Sequence, residues 1–498
     1  MRKKVSVIIT LLSFALIFSS LFSGCKKDIN LDKIGKSLSV YDINIEYLDN
    51  NTLFANQTTT YKNNTGTDLS DIKFHLYATA FSENKTNKPV STLNQDSAYP
   101  NGIDYGTYEI TSVKVDDVNI TPTYEGLDND ILVISNIEIK NKKSLNIYFE
   151  YTIKLPNIHH RYGYGENTVN LANFYPIACV YNNGWDTSSY HSNGDPFYSD
   201  IANYNVNITY PNNYIVAHTG YQTNNTSLDS NRKILSASAK CVRDFALVLS
   251  TKFNVIEESV DNVLVRYYYY NDTSPEYSLN TACTAISTFN NLFGKYPYST
   301  FSVVETNFVH GGMEYPSLVY ISDAISNVQD YQNTIIHETA HQWWYAVVGN
   351  SAYHYGWLDE GLTEYSTLLF YEQNPSYNVD INESIKASTN SYVLFVEIYS
   401  EYVDNLDTSL DRNISEYATE PEYVYMAYVK GMLLFDNLRE TIGDKKFFEA
   451  IKYYYNQNLF DNVTPEIMIE NFSKCAGTNL TSFFDSWIKG KVVIEQIK

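Results

Sequence analysis

Basic residues are scarce in this chain. Lysine and arginine together number 35 against 57 aspartates and glutamates, which gives a formal net charge of -22. Because nucleic-acid binding requires a basic surface that neutralises phosphates, this composition argues against a nucleic-acid partner. The same negative charge is repelled by anionic membrane surfaces, so attachment to a membrane requires a lipid or a helical anchor.

Cysteine is also rare, with five residues in a chain of 498. Apart from Cys25 near the N-terminus, the cysteines are Cys179, Cys241, Cys283 and Cys475, and they lack the C-x-x-C spacing of a metal site. In an oxidising compartment these four residues can pair as two disulfides in any of three ways. Four buried thiols are the other interpretation, and the sequence alone leaves both open.

Only the N-terminus carries an apolar run of membrane-spanning length. Met1-Arg2-Lys3-Lys4 is a basic start, and residues 5–22 are mainly apolar, which is typical of a secretory signal peptide. The alternative is an uncleaved transmembrane anchor, since about 18 apolar residues can cross a bilayer. Either interpretation predicts a protein held at the cell membrane and facing outside the cytoplasm.

The end of this segment favours the cleaved form. Ser23-Gly24-Cys25 resembles a bacterial lipoprotein cleavage box, although Phe22 replaces the preferred Leu. The resemblance implies removal of residues 1–24 and lipidation of Cys25. Residues 25–39, which are polar and rich in Lys and Asp, are then expected to form a short tether.

The rest of the chain divides into two patterns, as expected for a length that exceeds one ordinary domain. Residues 40–265 alternate apolar and polar positions between Asn-rich turns, which predicts an antiparallel β-sandwich or a saddle-shaped β domain. Residues 266–498 turn mostly helical and predict an α+β domain. The predicted elements there are strands over 301–305 and 317–321, and helices over 334–348, 360–372, 427–442, 445–457, 465–476 and 480–488.

His337, Glu338 and His341 form an H-E-x-x-H motif, and Glu360 follows in the segment WLDEG. On a helix, residues four apart share a face, so both imidazoles can bind one metal ion while Glu338 points at its open position. Two His and one Glu that hold zinc and leave a fourth position for water are typical of a catalytic site. The motif therefore predicts zinc-dependent hydrolysis with Glu338 as the base.

Four motifs, in this order, resemble the aminopeptidase N family of zinc metallopeptidases, of the gluzincin type. They are Gly311-Gly312-Met313-Glu314-Tyr315, HETAHQW from His337, WLDEG from Trp357, and Tyr428-Val429-Lys430-Gly431. Asp195-Pro196-Phe197-Tyr198 and Asp244-Phe245-Ala246 are similar to segments of the family's N-terminal β domain. The resemblance extends from about residue 40 to the C-terminus and implies a thermolysin-like catalytic domain without the helical repeat domain of larger members.

The resemblance also implies roles for single residues. Glu314 matches the family's acidic residue that binds the free α-ammonium of a peptide, and Gly311 and Gly312 would let the backbone approach the substrate closely. Tyr428 matches the tyrosine whose hydroxyl stabilises the oxyanion, with Tyr423 and Tyr425 as competing assignments. Three further residues are candidates for supporting roles: Glu364 as an acid that orients a zinc-bound His, Asp359 as a helix N-cap, and Asn173 as a second amine anchor.

Taken together, these residues predict an aminopeptidase with one zinc ion per chain, acting on peptides with a free N-terminus. Tyr315 stands where the family usually has Asn, so preference among amino acids is left open. His310 and His354, although close to the motifs, are expected at the surface or behind the ligands. A zinc endopeptidase or other zinc hydrolase on the same scaffold is the alternative, and an inactive surface-binding homologue is a third.

Overall fold

The computed structural model describes residues 29–403 and 406–497. The predicted signal peptide and Cys25 lie outside these residues. Within them, no helix combines the length and apolar character needed to cross a membrane. The other four cysteines are free thiols, and three of them are buried, which matches the thiol interpretation rather than the disulfides.

The first half of the described chain is a stack of β-sheets. An eight-stranded sheet has the order β14-β15-β12-β1-β2-β8-β4-β5, and two four-stranded sheets have the orders β13-β16-β10-β9 and β11-β3-β7-β6. All pairings are antiparallel except β1 with β12. The strands are β1 (Ser39–Leu48), β2 (Thr52–Lys62), β3 (Leu69–His75), β4 (Thr107–Val115), β5 (Val118–Asn119), β6 (Thr123–Glu125), β7 (Ile131–Ile139), β8 (Ser144–Lys154), β9 (Tyr162–Tyr164), β10 (Val169–Leu171), β11 (Ile177–Ala178), β12 (Ala202–Pro211), β13 (Ile215–His218), β14 (Tyr221–Ser227), β15 (Arg232–Val242) and β16 (Leu247–Ser250).

Alternation of apolar and polar residues decides which face of each strand is buried. On β1, the side chains of Tyr41, Ile43 and Ile45 are buried, and the residues between them are exposed. Phe74 on β3 packs against Phe149 on β8, with ring centroids 5.0 Å apart, so the two sheets meet face to face. The prediction of a β-rich N-terminal region with sandwiched sheets is confirmed.

The second half contains a five-stranded mixed sheet in the order β17-β18-β19-β21-β20, covered by helices. Its strands are β17 (Asn254–Val260), β18 (Val263–Tyr269), β19 (Thr300–Thr306), β20 (Gly312–Met313) and β21 (Leu318–Ser322). The boundary predicted between residues 265 and 266 falls inside β18, which pairs with β19, and it stays a prediction.

Helices occupy most of the chain after residue 270. They are, with two short ones near the N-terminus, α1 (Leu31–Gly35), α2 (Gln95–Ala98), α3 (Pro275–Leu292), α4 (Val328–Ala340), α5 (Ala352–Tyr355), α6 (Glu360–Gln373), α7 (Ile381–Tyr399), α8 (Glu420–Tyr423), α9 (Gly431–Ile442), α10 (Asp444–Gln457), α11 (Pro465–Ala476) and α12 (Thr481–Ile488). A π-helix, Val424–Lys430, separates α8 from α9, and 3-10 turns cover Tyr77–Phe81, Pro375–Tyr377 and Ile414–Glu416. Helix α1 contacts β15, so this part of the expected tether is folded onto the sheet.

The helix that carries the H-E-x-x-H motif differs from its prediction over residues 334–348. Helix α4 begins earlier, where the Asn327 side chain accepts hydrogen bonds from two backbone amides, and it ends at Ala340 with His341 as C-cap. The next residues form a buried loop in which Tyr345 has a φ of 141°. An apolar run does not distinguish a buried helix from a buried loop, which is why the predicted end was wrong.

Candidate active site

The side chains of His337, His341 and Glu360 converge at the meeting of α4 and α6. Nε2 of His337 lies 3.1 Å from Nε2 of His341, and Oε2 of Glu360 lies 3.2 Å from His341 and 3.5 Å from His337. All three side chains are mostly buried. Helical spacing explains the two imidazoles, and Glu360 joins them because it begins the neighbouring helix.

Hydrogen bonds behind the imidazoles orient the nitrogens that face this point. Nδ1 of His341 lies 2.9 Å from the carbonyl oxygen of Trp344, which only accepts, so Nδ1 carries the proton and the lone pair is on Nε2. Nδ1 of His337 faces Oε2 of Glu364 at 3.5 Å. Carboxylates or carbonyls in this position are typical of metal-binding histidines.

These distances fit a zinc ion. Ligand atoms about 2.0 to 2.1 Å from a tetrahedral ion lie roughly 3.3 to 3.4 Å from one another. The three observed separations, between 3.1 and 3.5 Å, surround that value. Two imidazole lone pairs and a carboxylate that face one point are also the donor types that zinc prefers.

Charge around this point shifts the pKa of each group. Burial disfavours charge on both imidazoles, but the Glu360 carboxylate raises the pKa of His337 and His341 above the ordinary value. Against the same burial, the two imidazoles lower the pKa of Glu360 to about 2. Because a proton and a metal ion compete for the same nitrogens, metal binding weakens as the pH falls.

Glu338 faces the cavity beside the ligand triad. Its Oε2 is buried and has no hydrogen-bond partner among the described residues. The side chain passes directly over Gly312, where an added Cβ would lie 2.3 Å from Oε1 of Glu338. Burial raises the pKa of Glu338 to about 7, although the two imidazoles oppose the shift.

Gly312 thus has a physical role that the sequence did not specify. Any side chain at this position would collide with Glu338, so glycine keeps the space that the carboxylate occupies. Gly311 also lines the cavity, and its nearest neighbour is Thr334 at 3.9 Å from an added Cβ. Gly312 begins the edge strand β20, and Gly311 immediately precedes it.

Glu314 lies near a second carboxylate, from Asp195. Carboxylate oxygens of Asp195, Glu314 and Glu360 lie within 4.8 Å of one another, and all three residues line the cavity. Burial and the neighbouring carboxylates raise the pKa of Glu314 well above its ordinary value. Asp195 also makes a short ion pair with Arg161, which is buried.

Asp195 is a site residue that sequence reasoning missed. The segment Asp195-Pro196-Phe197-Tyr198 is similar to part of the family's β domain, but a single acid in a loop gives no local signal of a role at the active site. Asn173, the guessed amine anchor, is buried and does not line this cavity. The N-terminal half therefore reaches the site through the loop that carries Asp195.

Tyr428 lies in the π-helix and its hydroxyl donates a 2.6 Å hydrogen bond to Oε1 of Glu360. Burial and the Glu360 charge raise its pKa well above the ordinary value, so the phenol stays a proton donor. Tyr423 also lines the cavity, with its ring 6.0 Å from that of Tyr428. Tyr425 instead stacks on Phe395 with centroids 4.2 Å apart and lies outside the cavity lining.

The remaining candidates lie around this centre. Asp359 caps α6 through its own side chain, as predicted, and Glu364 faces His337. His310 lines the cavity, 3.4 Å from Glu420. His354 lies outside the cavity lining and pairs with Asp186 at 2.9 Å. The cavity has a volume of about 450 Å³.

A two-histidine, one-glutamate ligand set with an adjacent glutamate, carried by two helices beside a mixed sheet, defines a gluzincin-type metallopeptidase site. Residues 277–487 match the peptidase family M1 domain. This match supports the resemblance of the chain to the aminopeptidase N family of zinc metallopeptidases.

Curated relatives match part of the chain. Aminopeptidase N of Lactococcus lactis subsp. lactis is 23% identical over 240 residues, which cover 44% of this chain and 27% of that protein. Aminopeptidase B of Rattus norvegicus is 26% identical over 196 residues, which cover 37% of this chain and 29% of that protein. The matched region therefore spans less than a third of the length of these relatives.

Solved structures match nearly the whole chain. The M1 zinc metallopeptidase from Deinococcus radiodurans superposes with a TM-score of 0.66 at 15% identity, covering 93% of this chain and 96% of that one. A mutant of that protein bound to a Tyr-Ser-Ala substrate superposes with a TM-score of 0.65, with the same identity and coverage. At this identity, the likeness shows the shared fold.

Proposed function

We propose that this chain is a zinc-dependent aminopeptidase that removes the first residue from peptides. One observation carries the proposal: the ligand triad, the unpartnered Glu338 carboxylate and the paired acids Glu314 and Asp195 line a single cavity. Relatives named aminopeptidases and a neighbour bound to a tripeptide substrate support the same conclusion. We also propose one zinc ion per chain, since one such triad lies in the cavity.

His337, His341 and Glu360 would hold the zinc ion. When bound, zinc polarises a carbonyl and makes a water molecule more acidic. Glu338 accepts the water proton at its unpartnered Oε2 and later gives it to the leaving amine. Burial, which raises the pKa of Glu338 above its ordinary value, favours the uptake of this proton.

The other cavity residues orient the substrate. Glu314 and Asp195 would accept hydrogen bonds from the α-ammonium of the peptide, and this places the first peptide bond next to the ligand triad. The Tyr428 hydroxyl, already 2.6 Å from Glu360, donates to the oxygen on which negative charge develops.

A pair of peptides tests the proposal. The zinc-loaded protein is expected to release the first residue from a free tripeptide and to leave the N-acetylated form intact. Equal rates on both peptides would indicate an endopeptidase instead.

The substitution Glu338→Ala is expected to lower kcat about a thousandfold with zinc still bound. The control Glu397→Ala, on the exposed side of α7, should change neither kcat nor the zinc content. Zinc content is measured by elemental analysis.

We further propose that the protein is held at the outer side of the cell membrane by a lipid on Cys25. The proposal rests on the basic start, the apolar run and the Ser23-Gly24-Cys25 box. Cys25→Ser is expected to abolish incorporation of a labelled fatty acid and to release the protein from membranes. A Cys25→Ser protein that stays in the membrane fraction would favour the transmembrane anchor.

A further inference from the structure

One wall of the active-site cavity carries a carboxylate that the proposed reaction does not use. Glu420 begins α8, lines the cavity, and has a side chain that is 16% exposed. Its two oxygens accept hydrogen bonds of 2.9 and 2.8 Å from Nδ2 of Asn94, and Oε2 accepts a 2.5 Å bond from Oγ of Ser91. Nδ1 of His310 lies 3.4 Å from Oε1.

Four contacts, two on each carboxylate oxygen, orient the Glu420 side chain toward the cavity wall. Burial disfavours its ionisation, but the hydrogen bonds from His310 and Ser91 lower its pKa below the ordinary value. Glu420 is therefore a negative charge held in a fixed position on the cavity wall, where it can attract a cation.

The cavity lining offers little positive charge to balance it. Among the described lining residues, Arg161 is the one arginine and no lysine occurs, and Arg161 is already paired with Asp195. Asn94 and His310 contact Glu420 in the cavity lining, and the apolar side chains of Val309 and Val424 also line the cavity. A branched aliphatic side chain beside Glu420 would displace water from the polar groups of Glu420, Asn94 and His310 and would form no hydrogen bonds with them.

We propose that Glu420 selects peptides whose first residue is arginine or lysine. The inference rests on the proposed aminopeptidase function, in which the α-ammonium is at Glu314 and Asp195 and the scissile carbonyl is at the ligand triad. The wall of Asn94, His310 and Glu420 is then free to receive the side chain of the first residue. A guanidinium or ammonium group donates charge-assisted hydrogen bonds to the Glu420 carboxylate.

Aminoacyl fluorogenic substrates test this choice. The wild-type protein is expected to have a kcat/KM for arginyl and lysyl substrates about tenfold or more above that for leucyl and alanyl substrates. Glu420→Gln keeps the shape of the side chain, removes its charge and replaces one accepting oxygen by an amide that donates. It is expected to lower kcat/KM about tenfold for arginyl and lysyl substrates and to leave kcat/KM for leucyl and alanyl substrates unchanged. Glu397→Gln, which removes an exposed charge outside the cavity, should leave every ratio unchanged.

The outcomes separate a selecting residue from a structural one. Glu420 also joins the loop of Ser91 and Asn94 to the catalytic half, so a purely structural role predicts an equal loss for every substrate. An equal loss, or a wild-type preference for leucine, would overturn the inference while the aminopeptidase function stands. If no substrate is cleaved, the proposed function fails. Calorimetry with free arginine and norleucine then tests the selectivity of the Glu420 wall directly. Equal binding of the two amino acids would refute the inference.

Discussion

At the scale of single residues, the Glu360 carboxylate has two different neighbours. Its Oε2 faces His337 and His341, while its Oε1 accepts the hydrogen bond from Tyr428. The hydroxyl that is proposed to stabilise the oxyanion therefore also contacts a proposed zinc ligand. This double contact couples the position of Tyr428 to the position of the metal site.

Removal of the Tyr428 hydroxyl tests its proposed role in the reaction. Tyr428→Phe is expected to lower kcat about a hundredfold with little change in KM, because the lost hydrogen bond forms mainly with the transition state. Steady-state kinetics on a free tripeptide measure both constants. The matched control is Tyr425→Phe, whose ring stacks on Phe395 outside the cavity lining, and a similar loss there would show that the assignment of Tyr428 is wrong.

The spacing of the motif was sufficient to predict which residues meet at the ligand triad. His337 and His341 share a helical face, and the WLDEG segment supplied Glu360. Asp195, in contrast, approaches Glu314 through contacts between distant parts of the chain, and its partner Arg161 belongs to a third segment. No local pattern encodes such a contact, so the sequence did not predict it.

At the scale of elements, two helices cross closely at a pair of glycines. Gly361, the second residue of α6, lies against Gly431, the first residue of α9, and a Cβ added to Gly361 would be 2.7 Å from Cα of Gly431. Glu360 precedes one glycine, and the π-helix with Tyr428 leads to the other. The close approach therefore sets the distance between Glu360 and Tyr428.

A methyl group at this crossing should push the two helices apart. Gly361→Ala is expected to destabilise the protein by about 1 to 3 kcal/mol, even though alanine favours a helix more than glycine does, and to lower zinc affinity. Thermal unfolding and zinc titration measure the two effects. Gly184→Ala, at a position with no atom within 4 Å of the added Cβ, serves as the control. An unchanged unfolding temperature in Gly361→Ala would contradict the proposed crossing.

The sequence predicted elements with a regular period better than irregular ones. Residues 465–476 were predicted as a helix and α11 has these bounds, whereas the π-helix Val424–Lys430 was expected as part of an ordinary helix. Hydrogen bonds in a π-helix span five residues instead of four, so the residues that follow are shifted by one position around the helix. A pattern of apolar residues does not show this difference. Tyr428 could thus be chosen only from the Lys430-Gly431 that follows it.

At the scale of the whole molecule, one buried segment joins the two halves. Nε of Arg243 donates a 2.6 Å hydrogen bond to the carbonyl oxygen of Tyr345, and Nη2 donates a 2.8 Å bond to that of Asp461. Next to it, Oδ2 of Asp244 accepts a 2.5 Å hydrogen bond from the Tyr345 hydroxyl. The catalytic half and the β-sheet half therefore share buried polar contacts as well as a core.

Asp244 should make the stability of this junction depend on pH. Burial raises its pKa from 3.8 to about 7, so the folded protein keeps a proton on Asp244 between these values while the unfolded chain has lost it. The contribution of Asp244 to the free energy of unfolding is therefore fully present below about pH 4 and is lost as the pH rises through 7. The shift in pKa sets an upper limit of about 4 kcal/mol on this loss.

Asp244→Asn removes this titration and keeps an oxygen that accepts from Tyr345. The unfolding temperature of the wild-type protein relative to the variant is therefore expected to be higher at pH 5 than at pH 8.5. Calorimetry on zinc-saturated samples measures it, since both proteins then carry the same metal site. Asp49→Asn, in an exposed turn, is the matched control substitution. The contrary result is a difference in unfolding temperature between wild type and Asp244→Asn that stays constant from pH 5 to pH 8.5. That result would show that Asp244 is ionised in the folded protein throughout this range. The contact with Tyr345 would then join the two halves through a carboxylate.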